Sequence, residues 1–566
     1  MQTLNNQKHV EMLDAKVTQF IQRLMRQKHI TGLSVALVDD KGILATQSYG
    51  FADRQAQQAA TPRTVYRIGS ITKLFTGTAT MQLREKGLLE LDKPVVEYLP
   101  EFSIKTDRAG DLSRITPRTL MTHHSGFPAD WYENYWNDDP HAFRQVIKYL
   151  RDCTLVFPPN TVFSYSNLAT SLMGIIIERV SGSSYQEYIE QNILAPLKMS
   201  DSTLNADQVP PSLLSKAYAR DHEVEEPVLR DAPAGAILSN VQDMSHFLAM
   251  VLAGGSFDNA TILGSKFLDE MLSPQNANVK LDLGFQIGLN WFLSRPTLAS
   301  AGRVCWHDGG SPHFFSILIG LPDAKSGAVV LSNSDGGMIN VGLIADELLK
   351  HAVAVKTGQK ASSSGARSVP VKVQDRRPTE LSTGNFATAN GIVQIFRHKD
   401  TLRAKMQGMQ FSLTDRGNGW YAPRLLLFGI LPVKIASVES LRLVVRSIDG
   451  QRILGMEQYG LRVPFGVEYT PVDIPPAWVE SLGKYQLTTQ DKLPPFTSLL
   501  LTVSENALLL RVTARKAGKM SLVLRPVSDT KAVVLGFGRV AGVTVELSYH
   551  DGVRVVKMLG LEFAKP

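Results

Sequence analysis

The strongest limit on the fold is a change of texture near residue 370. Residues 356–370 are rich in Ser, Gly and Lys, with Ser362-Ser363-Ser364-Gly365 inside them, and read as a linker. Beyond them come short alternating runs, among them 392–396, 402–406, 441–445, 499–503, 507–512 and 543–547, separated by Gly, Asn or Asp turns. That pattern is all-β. Leu381-Ser382-Thr383-Gly384-Asn385-Phe386 is echoed by Leu482-Gly483-Lys484-Tyr485, each opening a block of similar length. The expectation is two β-barrel-like domains, 371–475 and 476–566, meeting near Pro475-Pro476.

Residues 1–355 mix helical patterns with hairpin-linked strands instead, and the expected class is α+β. Leu13, Val17, Phe20, Ile21, Leu24 and Met25 line one side of a helix. Residues 32–39 and 43–50 form a predicted hairpin across Asp40-Lys41-Gly42, expected to pack behind the helix that begins at Ile71. Later helices are predicted over 168–180, 185–194, 241–252 and 341–355, and paired strands over 314–321 and 328–332. A loop at 127–140 carries Trp131, Tyr132, Tyr135 and Trp136, which either wall a pocket or cover a core edge.

The chain has 566 residues and a net charge of +7, but the charge is diffuse and no nucleic-acid motif accompanies it, so no nucleic-acid partner is expected. Cys153 and Cys305 are too few for a disulfide framework and suit no metal site. The N-terminal residues lack an apolar signal region, and no run approaches the ~18 apolar residues of a membrane span. A cytoplasmic protein fits the sequence as it stands, a periplasmic or secreted one if an export signal has been removed.

In Ile68-Gly69-Ser70-Ile71-Thr72-Lys73, Ser70 falls in the first turn of a predicted helix, near its free N–H groups. Lys73, three residues on, shares its face. A serine hydroxyl becomes a useful nucleophile when a neighbour takes its proton. Alone, Ser-x-x-Lys is an ordinary helix start, but two further stretches add chemistry. Tyr165-Ser166-Asn167 precedes a helix and can point a phenol and an amide into a cleft. Trp306-His307-Asp308-Gly309-Gly310 leads into a strand, and its glycines let a substrate backbone approach. The N–H groups of Gly310 and Ser70 could form an oxyanion hole. His123 and His124 read as packing and capping groups.

Together these stretches resemble the penicillin-recognising serine hydrolases, near class C β-lactamases, certain esterases and D-aminopeptidases. That family orders Ser-x-x-Lys, Tyr-x-Asn, then Lys-Thr-Gly or His-x-Gly, as Ser70/Lys73, Tyr165/Asn167 and His307-Asp308-Gly309 are ordered here. The resemblance covers about residues 10–350. It implies a β-lactamase-like domain, an antiparallel sheet flanked by helices, ahead of the two barrels. It implies catalytic Ser70, Lys73 and Tyr165, substrate-binding Asn167, His307, Gly309 and Gly310, and no cofactor or metal. Lys356-Thr357-Gly358 spells the third motif literally but sits in the linker, away from any strand.

The expected chemistry is hydrolysis of an amide, peptide or ester bond in a small molecule or short peptide through an acyl-enzyme on Ser70. Tyr165 would take the proton and Lys73 would hold the charge. Histidine in place of lysine at the third motif removes a full charge for a penicillin carboxylate and favours an aminopeptidase- or esterase-like enzyme. The alternatives are a penicillin-binding DD-peptidase or weak β-lactamase, and an acylatable sensor. The oligomeric state stays open.

Overall fold

The structure is a computed structural model and describes residues 13–106, 108–358, 383–399, 401–417, 419–427, 431–433, 436–489, 492–514, 518–550 and 552–566. The N-terminal unit is built on an antiparallel sheet. Strands β1 (Gly32–Asp39) and β2 (Gly42–Asp53) form the predicted hairpin. β3 (Cys305–Gly310), β4 (Phe315–Leu321) and β5 (Ser326–Ser332) complete the order β3-β4-β5-β1-β2, and Gln58–Ala59 adds a short edge. β4 and β5 are buried along their whole length, which is why they read as continuous apolar runs.

Two helices close one face. α1 (Ala15–Lys28) begins at Asp14, whose carboxylate accepts from the Lys16 and Val17 amides. Val17, Ile21, Leu24 and Met25 pack with Ile344, Leu348 and Leu349 of α5 (Asn340–Thr357) against the sheet. The opposite face carries α2 (Thr72–Glu85), α3 (Asn167–Ser181) and α4 (Val241–Leu252), joined in one large core. α3 is buried from Asn167 through Ile177, so an apolar surface all round suits it. The hairpin packs chiefly on α4 rather than directly on the Ser70 helix. α2 stands beyond α4, with Phe75 stacked on Phe247 at 4.3 Å.

α5 extends through Thr357 and so takes in the first two residues of the expected linker, and Lys356 donates to the Lys325 carbonyl and the Ser326 hydroxyl. The Lys356-Thr357-Gly358 triplet is thus a helix end, with Gly358 at φ 67° closing it. Residues 359–370 of that linker lie outside the described residues.

The C-terminal half is two eight-stranded antiparallel barrels. In the first, Gly384–Thr388 pairs with Leu461–Glu468, and Met409–Asp415 pairs with Tyr421–Leu427 to close the ring. The second runs from Gly483–Leu487 to Leu561–Ala564, whose pairing closes it. Leu499, Leu510, Leu522, Val545, Val556 and Phe563 are among the side chains filling its interior. A separate apolar cluster joins all three units: Phe157 and Val162 from the first, Ile453 and Val467 from one barrel, Leu509, Val523 and Phe537 from the other. We propose domain boundaries at 1–355, 371–475 and 476–566, as the sequence suggests.

Among the described residues no helix is long and apolar enough to cross a membrane. Cys153 and Cys305 are buried free thiols.

Candidate active site

Ser70 occupies a 3-10 turn, Gly69–Ile71, that runs directly into α2. The turn is pressed against the end of β3. Gly69 has φ 56°, and a Cβ there would lie 2.6 Å from the Gly310 amide nitrogen. A Cβ on Gly309 would fall 1.9 Å from the Ile68 carbonyl oxygen. The two glycines therefore permit the close approach of strand and turn. Ser316 pins it by donating to the Ile68 carbonyl at 2.7 Å.

Lys73 lies one turn beyond Ser70 and is wholly buried. Its Nζ donates to Ser70 Oγ at 3.1 Å, Asn167 Oδ1 at 2.8 Å and the Ala234 carbonyl at 2.7 Å. All three ammonium N–H positions are used. Burial pulls its pKa down to about 7, and the nearby charge of Arg539 adds to this against the opposing Asp130, Asp231 and Asp308.

Tyr165 and Asn167 flank Ser166, whose hydroxyl accepts from the Ala169 amide to cap α3 and donates to the Pro128 carbonyl. Asn167 is thereby fixed between Lys73 and Asp130, donating to Asp130 Oδ1 at 2.7 Å. Tyr165 turns its hydroxyl toward Ser70. Its ring centre lies 5.0 Å from Lys73 Nζ, 4.4 Å from the His123 ring and 5.2 Å from the Arg539 guanidinium carbon. Burial pushes its pKa upward.

His307 projects from β3 into the same core, its ring 6.3 Å from that of Tyr165. Nδ1 donates to the Asp308 carbonyl at 2.6 Å, leaving Nε2 as an acceptor with no hydrogen-bond partner among the described residues. Burial, with the Lys73 charge, drives its pKa to about 3, so the ring is neutral at ordinary pH. Asp308 points its side chain outward. Ser70, Asn167, Gly310, Tyr135, Trp136 and Arg67 line one open cavity.

All seven residues singled out from sequence thus meet around Ser70. Sequence reading did not find Asp130, the Ala234 carbonyl or Arg539. Asp130 is 2% exposed, accepts from Asn167, Tyr132 and Tyr135, and pairs with Arg539 of the second barrel. Burial pushes its carboxyl up, but Arg539 and these hydrogen bonds outweigh that and hold it below the usual range. The aromatic loop serves both expected purposes: Tyr135 and Trp136 wall the cavity, while Tyr132 packs on Phe496 of the barrel at 5.9 Å. His124 is structural, bonded to Asp282 at 2.9 Å in a buried pair. Asp282 also accepts from the Phe163 amide at 2.7 Å and so steadies the approach to Tyr165.

A sequence profile of the Beta-lactamase family matches residues 17–350, more than half of the chain. Protein flp of Staphylococcus aureus (strain MW2) is 27% identical over 329 residues, covering 56% of this chain and 62% of that protein. The chain thus spans less than two thirds of that relative. Penicillin-binding protein 4* of Bacillus subtilis (strain 168) is 25% identical over 350 residues, covering 58% and 72%. Two solved structures share the fold. An octameric penicillin-binding protein homologue from Pyrococcus abyssi superposes with a TM-score of 0.55 at 23% identity, over 79% of this chain and 99% of that one. A class C beta lactamase from Rhodobacter sphaeroides gives 0.50 at 22% identity, over 60% and 100%.

Proposed function

The chain belongs to the Beta-lactamase family, and from that premise we propose that it is a serine hydrolase cleaving amide, peptide or ester bonds of small substrates through an acyl-enzyme on Ser70. The observation that carries this is Lys73: buried, triply hydrogen-bonded, in contact with Ser70, and balanced near neutrality. A lysine so poised can accept a proton at working pH.

This electrostatic setting favours a different division of labour from the one expected from sequence. Burial disfavours both the Tyr165 phenolate and the Lys73 ammonium, so above about pH 7 the pair is phenol and amine. Lys73 takes the Ser70 proton as Oγ attacks the carbonyl. The Ser70 and Gly310 amides receive the oxyanion, worth ~2.7–4 kcal/mol per donor. Tyr165 gives its proton to the departing amine or alcohol and is reprotonated from Lys73. In the second half water attacks the ester, its proton passes to Lys73, and Ser70 leaves with a proton from Tyr165. Asn167 holds Lys73 and offers its amide to a substrate carbonyl, and neutral His307 supplies the Nε2 acceptor to the leaving group.

A neutral His307 brings no cation to that strand, which favours aminopeptidase- or esterase-like substrates over penicillins. Arg67 keeps a second reading alive. It lines the cavity, and a cation there would suit a substrate carboxylate. That would suit a DD-peptidase or weak β-lactamase.

The test is a panel of D- and L-aminoacyl amides and esters with nitrocefin, run on wild type and Ser70→Ala. Turnover confined to wild type supports the proposal. Equal turnover in Ser70→Ala refutes it, and fast nitrocefin loss with no ester or amide cleavage selects the second reading.

A further inference from the structure

The loop between strands Lys531–Val534 and Thr544–His550 of the second barrel crosses to the Ser70 cleft. Phe537 stacks on Phe157 with ring centres 6.0 Å apart and an interplanar angle of 12°. Gly542 has φ 74°, and a Cβ there would lie 2.4 Å from the Val156 carbonyl oxygen. Between these anchors Arg539 donates to Asp130 and lies over the Tyr165 ring. Among the described residues Arg539 is the one cation paired with Asp130.

Resting on the hydrolase reading above, we propose that Arg539 is a positioning residue of the Ser70 site, acting on Lys73 both by its own charge and by holding Asp130 against Asn167, so that the docked second barrel completes the cleft. The groups that face Lys73 are Asp130, Asp231 and Asp308, the neutral His123, His307 and Tyr165, and Arg539 itself. Asp231 is already balanced by Arg230 at 2.8 Å. Asp308 points outward. Among the described residues, Asp130 is the buried carboxylate near Lys73 whose charge is paired from the second barrel. Without Arg539 it would act unopposed and hold Lys73 as an ammonium, unable to receive the Ser70 proton. Half of the Arg539 side chain meets solvent, so water screens part of the effect. The expected displacement is about one pH unit.

The experiment follows the rate at which a fluorophosphonate labels Ser70 between pH 5 and 9 in the full chain, with Ser70→Ala as the blank. In Arg539→Gln the acid limb should rise by about one unit, so labelling at pH 7 falls several-fold. Arg539→Lys, which keeps the charge, should return most of the shift. If Arg539→Gln does not fold, D130N is compared with the double variant D130N/R539Q, which leaves no buried charge unpaired. The double variant should show the higher limb. Identical limbs within either pair overturn the proposal while wild-type labelling leaves the hydrolase reading intact. Wild type labelled no faster than Ser70→Ala overturns both.

Discussion

Lys73 Nζ stands 3.1 Å from the hydroxyl of Ser70, with none of the lysine open to solvent. A cation sealed in this way is less stable than in water, and the proton is released nearer neutrality. Acylation of Ser70 should therefore climb as pH passes through about 7 and level above it. The sign follows from the base: below that pH Lys73 is protonated and cannot receive a proton. His307, neutral down to about pH 3, adds no second limb. Stopped-flow rates with a nitrophenyl ester from pH 5 to 9 check this, and a rate that falls across neutrality contradicts it.

Lys73→Met keeps the length of the side chain and removes the amine. Acylation should drop by ~10²–10⁴-fold, the usual worth of a positioned acid or base. The Ala234 carbonyl and Asn167 Oδ1 lose their donor, at about 1–3 kcal/mol for each buried group left unpaired. Denaturant melts alongside labelling separate the two losses.

Gly309→Ala should damage stability and activity together. Its Cβ would need to occupy space 1.9 Å from the Ile68 carbonyl oxygen and 2.3 Å from Ser316 Oγ. Forcing β3 away from the Ser70 turn costs on the order of 1–3 kcal/mol. Gly310→Ala would meet only the Phe315 ring, at 3.2 Å, and should cost less. Thermal melts of the two variants give the comparison.

Asp282→Ala should destabilise by on the order of 3 kcal/mol, because His124, Asn276 and the Phe163 amide all lose a buried acceptor. Slower labelling should accompany it, since the Phe163 segment leads into Tyr165. Unchanged labelling in a folded variant would show that Tyr165 is held by other contacts.

Much of this was legible in the residues. Ser70 and Lys73 are neighbours by helical spacing, and Tyr165 and Asn167 are fixed by the cap of the helix they precede, so local rules sufficed. β4 and β5 announced themselves through unbroken apolar runs, whereas the stretch 306–310, read as leading into a strand, is itself most of β3. The barrels showed as alternation. What stayed hidden depends on docking. Arg539 and Asp130 are 409 positions apart, and no periodicity links them. The Ala234 contact is made by a backbone carbonyl, which carries no residue signature. The proton roles we propose for Tyr165 and Lys73 turn on how deeply each is buried, which no local pattern gives. The intervening position of α4 between the hairpin and α2 likewise depends on how whole elements stack.

The apolar cluster shared by Phe157, Ile453, Val467, Leu509 and Phe537 has a consequence for how the molecule comes apart. No single unit owns it, so severing residues 1–355 from the barrels would leave oily patches on every fragment. Heating should accordingly give one cooperative transition rather than three, and the isolated N-terminal piece should be prone to aggregate.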